Sequence, residues 1–322
     1  MGYEAGWGNS SIVAILQLGP LMHVRCGAAI PLLLLVSGCS ISPLSQRATA
    51  FSTAATAATL KVQNAYQLIE QSYTNAQMAS LVNNFDTKGF NSSQIQSFMP
   101  SAAMQARTQM IAGLQQYATL LAEVSGNQSV TALDTRSEAL GKSLQGLSTS
   151  TGLSSVAKNA NTDIGLASTA VDALGRMLIE HKTAKELPGI LTQMQKPVDD
   201  ICQLLEDDIG TPEGSGLRNQ LKNDYDSLIA EQRTYIYANE AKMTPDEKRT
   251  EIENLPQLVT TEQQDDATLA QTQAALKALA ATNEALATTK NSKQAPAFRA
   301  LLAELVAEGQ QIGSVYKATM SK

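Results

Sequence analysis

The sequence predicts an all-α protein, an elongated bundle of long antiparallel helices. Ala, Leu, Gln, Lys and Glu dominate the body of the chain, and these residues favour helices. Runs of β-branched residues with a period of two are missing, while apolar residues recur at intervals of three and four. Only 4% of the residues are aromatic, which suits alanine-rich seams that let helices approach closely.

Five helices are predicted before the glycine-rich segment 210–216. They cover residues 47–84, 101–124, 130–147, 164–185 and 190–209. Ser101 follows a proline and is expected to cap the second helix, which Gly126 should end. Pro197 is expected to kink or restart the fifth. The segment 210–216 either separates two bundles or forms a simple loop.

Four further helices are predicted after this segment. They cover residues 217–242, 245–255, 261–289 and 296–317. Thr244 and Glu247, with Pro245 between them, have the spacing of a capping box. Pro256 is expected to end the short helix that begins there. Asn283 falls at an a position of the following helix, where it could fix the register of a seam within the chain or the choice of a partner.

The stretch from Met22 to Cys39 has the order of features of a secretory signal. A short positive region at Arg25 precedes an apolar run over 27–36, which is too short to span a bilayer. The residues Val36-Ser37-Gly38-Cys39 then resemble the lipobox of bacterial lipoproteins. The resemblance implies that the Cys39 thiol receives a diacylglyceryl group, that cleavage follows Gly38, and that the new amino terminus is acylated, with palmitate as an expected acyl group.

The resemblance divides the chain into three parts. Residues 1–38 are the expected signal peptide, 39–46 a lipidated tether, and 47–322 the helical-bundle domain. Residues 1–21 suit a signal poorly, so Met22 is favoured as the start and 1–21 as an upstream extension; an unusually long n-region of the signal is the alternative. Ser40 follows the lipidated cysteine, which in enterobacteria-like lipoproteins implies sorting to the outer membrane. The protein is therefore expected there, facing the periplasm.

Composition excludes several classes of function. The chain has 24 Lys and Arg against 30 Asp and Glu, a net charge of -6, whereas a nucleic-acid binder needs a basic face. It has 2 His and 3 Cys, too few for a histidine-rich metal site or a disulfide scaffold. No later apolar stretch has transmembrane length. We expect no metal, no cofactor and no nucleic acid, and a soluble body tethered by its lipid.

The candidate site residues are sparse. An acidic cluster surrounds Cys202 and comprises Asp199, Asp200, Glu206, Asp207 and Asp208. A solvated helix face is the favoured interpretation, and a cation site or acid/base pair the alternative. Cys202 is expected to be a buried core thiol, and His181 an exposed residue near a helix C-terminus. Tyr237 and Asn283 are the candidate residues of a partner surface.

These features lead to three hypotheses for function. The first is a lipid-anchored, non-catalytic protein that binds or scaffolds a protein partner in the envelope. The alternative is a carrier of a small apolar ligand or lipid in the bundle interior. An envelope hydrolase with Glu70, Glu180 or Asp200 as its acid is the least supported, because no catalytic set is assembled in the sequence.

Overall fold

The fold was described from a computed structural model, which describes residues 43–126, 134–148, 164–180, 186–289 and 295–320. Eight α-helices and one short 3-10 helix, Ser92–Gln94, occur in these ranges, and none of the described residues forms a β-strand. The predicted all-α bundle is therefore confirmed. The helices are α1 Pro43–Lys88, α2 Ser101–Ser125, α3 Asp134–Ser148, α4 Ile164–Glu180, α5 Leu187–Ile209, α6 Leu217–Asn239, α7 Pro245–Thr288 and α8 Ala295–Met320.

Helix α1 is longer than predicted at both ends. It begins at Pro43, inside the segment that the sequence assigned to the tether, because proline suits the first turn of a helix. Ala48 and Phe51 are fully buried, so the first turns already belong to the core. The helix then continues past residue 84, where the sequence predicted its end, as far as Lys88. There the Asn83 side chain donates to the backbone oxygen of Glu231 at 2.8 Å, a contact that stabilises the last turns.

Helix α2 runs antiparallel to α1. The backbone amide of Phe98 donates to Glu70 just before α2 begins, and Ser125 at its end lies beside Ser45. Ser101 is not the cap that the sequence predicted, because it is already helical and Pro100 precedes it without a side-chain cap. Gly126 ends α2 as predicted.

Helices α3 and α4 form a closely packed pair that also contacts α2. Gly141 and Gly175 face each other so closely that a Cβ atom on either would lie 2.7 Å from the other's backbone oxygen. Only glycine permits this approach. The lengths of the two helices agree with prediction as far as the described residues extend. Residues 149–163 and His181 lie outside them.

The glycine-rich segment 210–216 forms a tight turn between α5 and α6, inside the compact unit Ile41–Lys322. Gly210 and Gly216 have φ angles of 66° and 97°, a region that glycine reaches without a steric penalty. The restart predicted near Pro197 is wrong, because α5 continues through this residue.

A second prediction about proline, that Pro256 ends a helix, is contradicted by helix α7. The capping box is confirmed, since Thr244 Oγ1 accepts from the Glu247 amide at 3.3 Å and Glu247 accepts from the Thr244 amide at 2.8 Å. Pro256, however, does not end the helix, which runs on to Thr288. Pro256 is exposed, so the ring lies on the side of the helix where one missing hydrogen bond is best tolerated.

Two long helices run in the same direction, although the sequence predicted antiparallel neighbours. Ser72 of α1 pairs with Asp224 of α6, and Asn83 with Glu231, so both helices advance together. Helix α7 is antiparallel to both, because Arg47 at the start of α1 donates to the backbone oxygen of Thr289 after its end. No helix in the described ranges is long and apolar enough to cross a membrane.

Candidate functional site

A buried ion pair joins three helices at the centre of the bundle. Asp208 lies at the C-terminal end of α5, Arg107 on α2 and Tyr66 on α1. The guanidinium donates to both carboxylate oxygens, from Nε at 2.6 Å and from Nη2, and Tyr66 Oη donates to Oδ2 at 2.7 Å. Arg107 also donates to the backbone oxygen of Ala103 at 3.1 Å. Asp208 is only 1% exposed, so the pair is an internal tie and cannot meet a substrate.

The electrostatics of this tie hold Tyr66 and Arg107 each in one protonation state. Burial, followed by the negative charge of Asp208, raises the pKa of Tyr66 well above its ordinary value. Burial alone would lower the pKa of Arg107, but its hydrogen bond to Asp208 and the charge there raise it. The phenol therefore remains a donor and the guanidinium a cation.

The other members of the acidic cluster have separate partners. Lys196 binds Asp200 at 2.7 Å, and Gln203 donates to Asp207 at 2.8 Å. Glu206 is buried and lies 3.8 Å from Lys277 of α7. The favoured interpretation of a solvated face is therefore wrong for Glu206 and Asp208. No metal-binding group of three or more ligands occurs among the described residues.

The candidate thiol nucleophile and the three candidate acids of a hydrolase also have defined surroundings. Cys202 is fully buried, as predicted, and burial raises the pKa of its thiol, which keeps it protonated and unreactive. Glu70 accepts from the Phe98 amide at 3.1 Å, and Asp200 is in its ion pair with Lys196. Glu180 is an exposed residue at the end of α4.

A groove of about 600 Å³ lies between α1 and α2. Its floor is apolar and includes Met99, Met104 and Ile111. Its polar lining includes four amide side chains, two from each helix, together with Tyr66 and Glu70: Gln63, Gln67, Gln105 and Gln109. The groove can accommodate a small, mostly apolar molecule with hydrogen-bonding groups.

A second feature is the end of the bundle farthest from the start of α1. We call it the arm, and it consists of residues 72–88 of α1, all of α6, and residues 245–266 of α7. Polar pairs hold the arm together. Ser72 donates to Asp224 at 2.9 Å, and Tyr225 donates to Asp265 at 2.6 Å. Burial raises the pKa of the Asp224 and Asp265 carboxyl groups. Neither carboxyl group makes an ion pair in the described part of the chain that would offset this effect.

Large exposed apolar side chains are concentrated on the arm and just beyond it. Met78, Val82 and Phe85 follow one another at helical spacing on α1, and Phe90 comes shortly after α1 ends. The other helices of the arm contribute Tyr237, Ile252 and Val259. Elsewhere in the described chain, only Leu60 and Val306 belong to this class. Such a concentration is typical of an interaction surface.

Of the two residues predicted to meet a partner, one is exposed and the other is buried. Tyr237 is 68% exposed on the arm, where a partner can reach it. Asn283 is 1% exposed and accepts from Tyr117 Oη at 2.7 Å. It therefore belongs to an internal seam between α2 and α7, the intramolecular alternative, and not to a partner surface.

Sequence reasoning missed the exposed row on α1. Met78, Val82 and Phe85 lie out of phase with the buried face of α1, whose last members are Ile69, Ser72 and Ala76. That change of phase was the available signal.

The comparisons with known proteins complete the description of the site. No family model matches the chain, and no curated protein or solved structure is significantly similar to it.

Proposed function

We propose that this chain is a lipid-anchored protein of the bacterial envelope that acts as a non-catalytic binding or scaffolding component. The proposed anchor is Cys39, from the lipobox-like Val36-Ser37-Gly38-Cys39, and Ser40 favours the outer membrane. Helix α1 begins at Pro43, four residues after Cys39. So short a connection would keep the start of α1 close to the bilayer surface.

The exposed apolar side chains of the arm are the observation that carries this proposal. Helix α1 rises about 1.5 Å per residue, so Phe85 lies roughly 60 Å along the helix from Pro43. A chain anchored at Cys39 would thus hold its apolar surface far from the membrane, in the periplasm. There it would be available to a protein partner, and burial of these side chains would contribute binding free energy.

Site-specific photo-crosslinking in the native envelope tests the proposal. A photoreactive residue replaces Val82 on the arm or, as a matched control, Leu60 on the same helix. Both side chains are exposed, Val82 by 60% and Leu60 by 48%. We expect a discrete crosslinked protein from position 82 and not from position 60. The same protein should be recovered with the tagged full-length chain.

Two results would overturn the proposal. One is the absence of any crosslink from Val82, Phe85 and Tyr237 in envelopes that retain the chain. The other is equal crosslinking from position 60, which would indicate nonspecific encounters.

The groove between α1 and α2 favours a second candidate function, the carriage of a small apolar ligand or lipid. Its methionine-containing floor is adaptable and its amides carry no charge. Native mass spectrometry of the full-length chain extracted under mild conditions would detect a bound molecule. Met104→Trp should fill the groove and remove that molecule, whereas Leu60→Trp, an exposed site outside it, should not. An unchanged bound mass in Met104→Trp would exclude the groove as the site.

A further inference from the structure

A smaller groove of about 420 Å³ lies where the first two turns of α1 and α8 meet, and we call it the basal groove. Its apolar lining includes Leu302 and Phe298, of which Phe298 is only 1% exposed. Two arginines also line it, Arg47 from α1 and Arg299 from α8. No carboxylate of a described residue does so. The basal groove therefore combines an apolar surface with charges of one sign, all positive.

Neither arginine of the basal groove is neutralised by a residue that the structure describes. Arg47 donates from Nη1 to the backbone oxygen of Thr289 at 3.2 Å, a contact that holds the side chain in place but supplies no full negative charge. Arg299 is exposed and makes no hydrogen bond or ion pair within the described ranges. Because a guanidinium has five N–H donors, both side chains retain donors for an anionic group.

The sequence beside the basal groove also contains no acid. Neither residues 40–60 nor residues 285–303 include Asp or Glu, and the second range adds Lys290 and Lys293. Glu123 is close to the end of α2, where Ser125 lies beside Ser45, but it does not line the groove. The whole chain, in contrast, has a net charge of -6. A local excess of cations in an acidic protein favours an anionic ligand at this place.

The proposed anchor places the basal groove near phospholipid headgroups. Pro43 lines the groove and is four residues from Cys39. Four residues span at most about 14 Å, and the headgroup layer on each side of the hydrocarbon core is roughly 5–8 Å thick. A chain held by a lipid at Cys39 would therefore keep the groove within reach of the phosphate groups of the same leaflet.

We infer that the basal groove binds the phosphate of an anionic phospholipid in that leaflet. This inference rests on the proposed lipid anchor and adds a headgroup contact beside it. Arg47 and Arg299 would donate to the phosphate oxygens, since the planar guanidinium fork matches the geometry of phosphate. The methylene groups of the lipid next to the phosphate would contact Phe298 and Leu302. A zwitterionic headgroup carries its own cation and would gain less from the two arginines.

Competition between two lipids tests the inference. The full-length acylated protein is placed in nanodiscs that contain equal parts of phosphatidylcholine and phosphatidylglycerol with identical acyl chains. Native mass spectrometry then identifies the lipids that stay bound when the disc is removed. We expect the parent protein to retain phosphatidylglycerol at least about tenfold more often than phosphatidylcholine, because two arginines act on the net charge of the anionic headgroup.

Variants of the two arginines test whether the basal groove is responsible. Arg299→Gln should reduce the preference for phosphatidylglycerol severalfold, and Arg47→Gln/Arg299→Gln should abolish it. The single variant replaces an exposed side chain, so it should leave the fold intact. Arg233→Gln/Arg249→Gln is the matched control, because both positions are exposed on the arm and the change in net charge is the same. This control should keep the full preference.

The spectra separate failure of the inference from failure of the anchor. An equal preference in Arg47→Gln/Arg299→Gln and the parent would overturn the inference, while the acyl mass on Cys39 in the same spectra would still support the proposed function. Absence of that acyl mass would overturn the anchor and the inference with it. Inorganic phosphate, added to the protein in discs of phosphatidylcholine alone, provides the last comparison. Arginine-dependent retention of phosphate ion there, without a preference for phosphatidylglycerol, would indicate a free-anion site and overturn the inference.

Discussion

Asp208 is unfavourable in its own helix and favourable in the folded protein. A carboxylate near a helix C-terminus opposes the helix dipole, and α5 ends one residue later, at Ile209. Arg107 and Tyr66 offset this local disadvantage with three hydrogen bonds from two other helices. The residue therefore ties α1, α2 and α5 together at a single point.

Removal of Arg107 should reveal the free-energy cost of burying the Asp208 carboxylate without a cation. Arg107→Met leaves the Asp208 carboxylate buried without its cation, and we expect a loss of about 3–5 kcal/mol in the free energy of unfolding. Urea denaturation measures it. Arg249→Met is the control, because Arg249 forms an exposed pair on α7 that contributes at most about 1 kcal/mol. Equal losses in the two variants would show that the central pair contributes no more than a surface pair.

Glu206 should make stability depend on pH near neutrality. Burial chiefly, with the charges of Asp207 and Asp199, raises its pKa to about 7, although Lys277 lowers it. The unfolded carboxyl has a pKa of about 4.3. The folded state therefore holds the Glu206 proton more tightly than the unfolded state does. As a result, Glu206 contributes to the free energy of unfolding at pH values below the unfolded pKa. That contribution is lost as the pH rises through 7.

The amide variant isolates this effect from other titrating groups. Glu206→Gln should be more stable than the parent protein above pH 7, and the difference should shrink toward pH 5, where Glu206 is protonated in the folded state. Thermal unfolding across this pH range measures the difference. Glu253→Gln, at an exposed position, should show no such trend. A constant difference between Glu206→Gln and the parent would contradict the prediction.

At the scale of helices, two glycines of α3 have opposite environments. A Cβ on Gly141 would collide with the backbone oxygen of Gly175, whereas one on Gly146 would meet no atom within 4 Å. Gly141→Ala should therefore separate α3 from α4 and destabilise the protein by about 1–3 kcal/mol.

Gly146→Ala provides the matched control in the same helix. It should stabilise the protein by about 0.5–1 kcal/mol, because alanine has the higher helix propensity and no clash offsets it. Chemical denaturation of the two variants measures both effects. A stabilised Gly141→Ala would mean that α3 and α4 do not approach closely at this point.

Helix positions were largely predictable from periodicity, but helix continuity was not. The repeat of apolar residues located every described helix, because burial of one face leaves a local pattern in the sequence. Pro197 and Pro256 were expected to interrupt helices, yet both helices continue. Whether a helix survives a proline depends on packing against distant segments, which local sequence does not record.

The candidate sites were less predictable for the same reason. Arg107 and Asp208 are 101 residues apart, and the acidic cluster suggested no partner for Asp208. Tyr237, a candidate residue of the partner surface, is exposed. The burial of Asn283 depends on Tyr117, 166 residues away, so its environment could not be read from α7 alone.

For the whole molecule, the proposed lipid anchor at Cys39 should decide location without affecting the fold. Cys39→Ser removes the proposed acceptor of the lipid, so we expect loss of acyl labelling and release of the chain from the membrane fraction. Cys202→Ser is the control and should remain labelled and membrane-bound, even though it replaces a buried thiol. Acyl labelling with a clickable fatty acid, followed by fractionation, distinguishes the two. Equal labelling of both variants would refute lipidation at Cys39.

The unbroken course of α1 has a mechanical consequence. Its 46 residues form one helix that starts in the apolar core and ends in the arm, which buried polar pairs help to hold together. A pull on Phe85 would therefore travel as tension along a single rod of backbone hydrogen bonds to Pro43. Strain applied at the arm would reach Pro43, close to the proposed anchor at Cys39, before the surrounding helices had to rearrange.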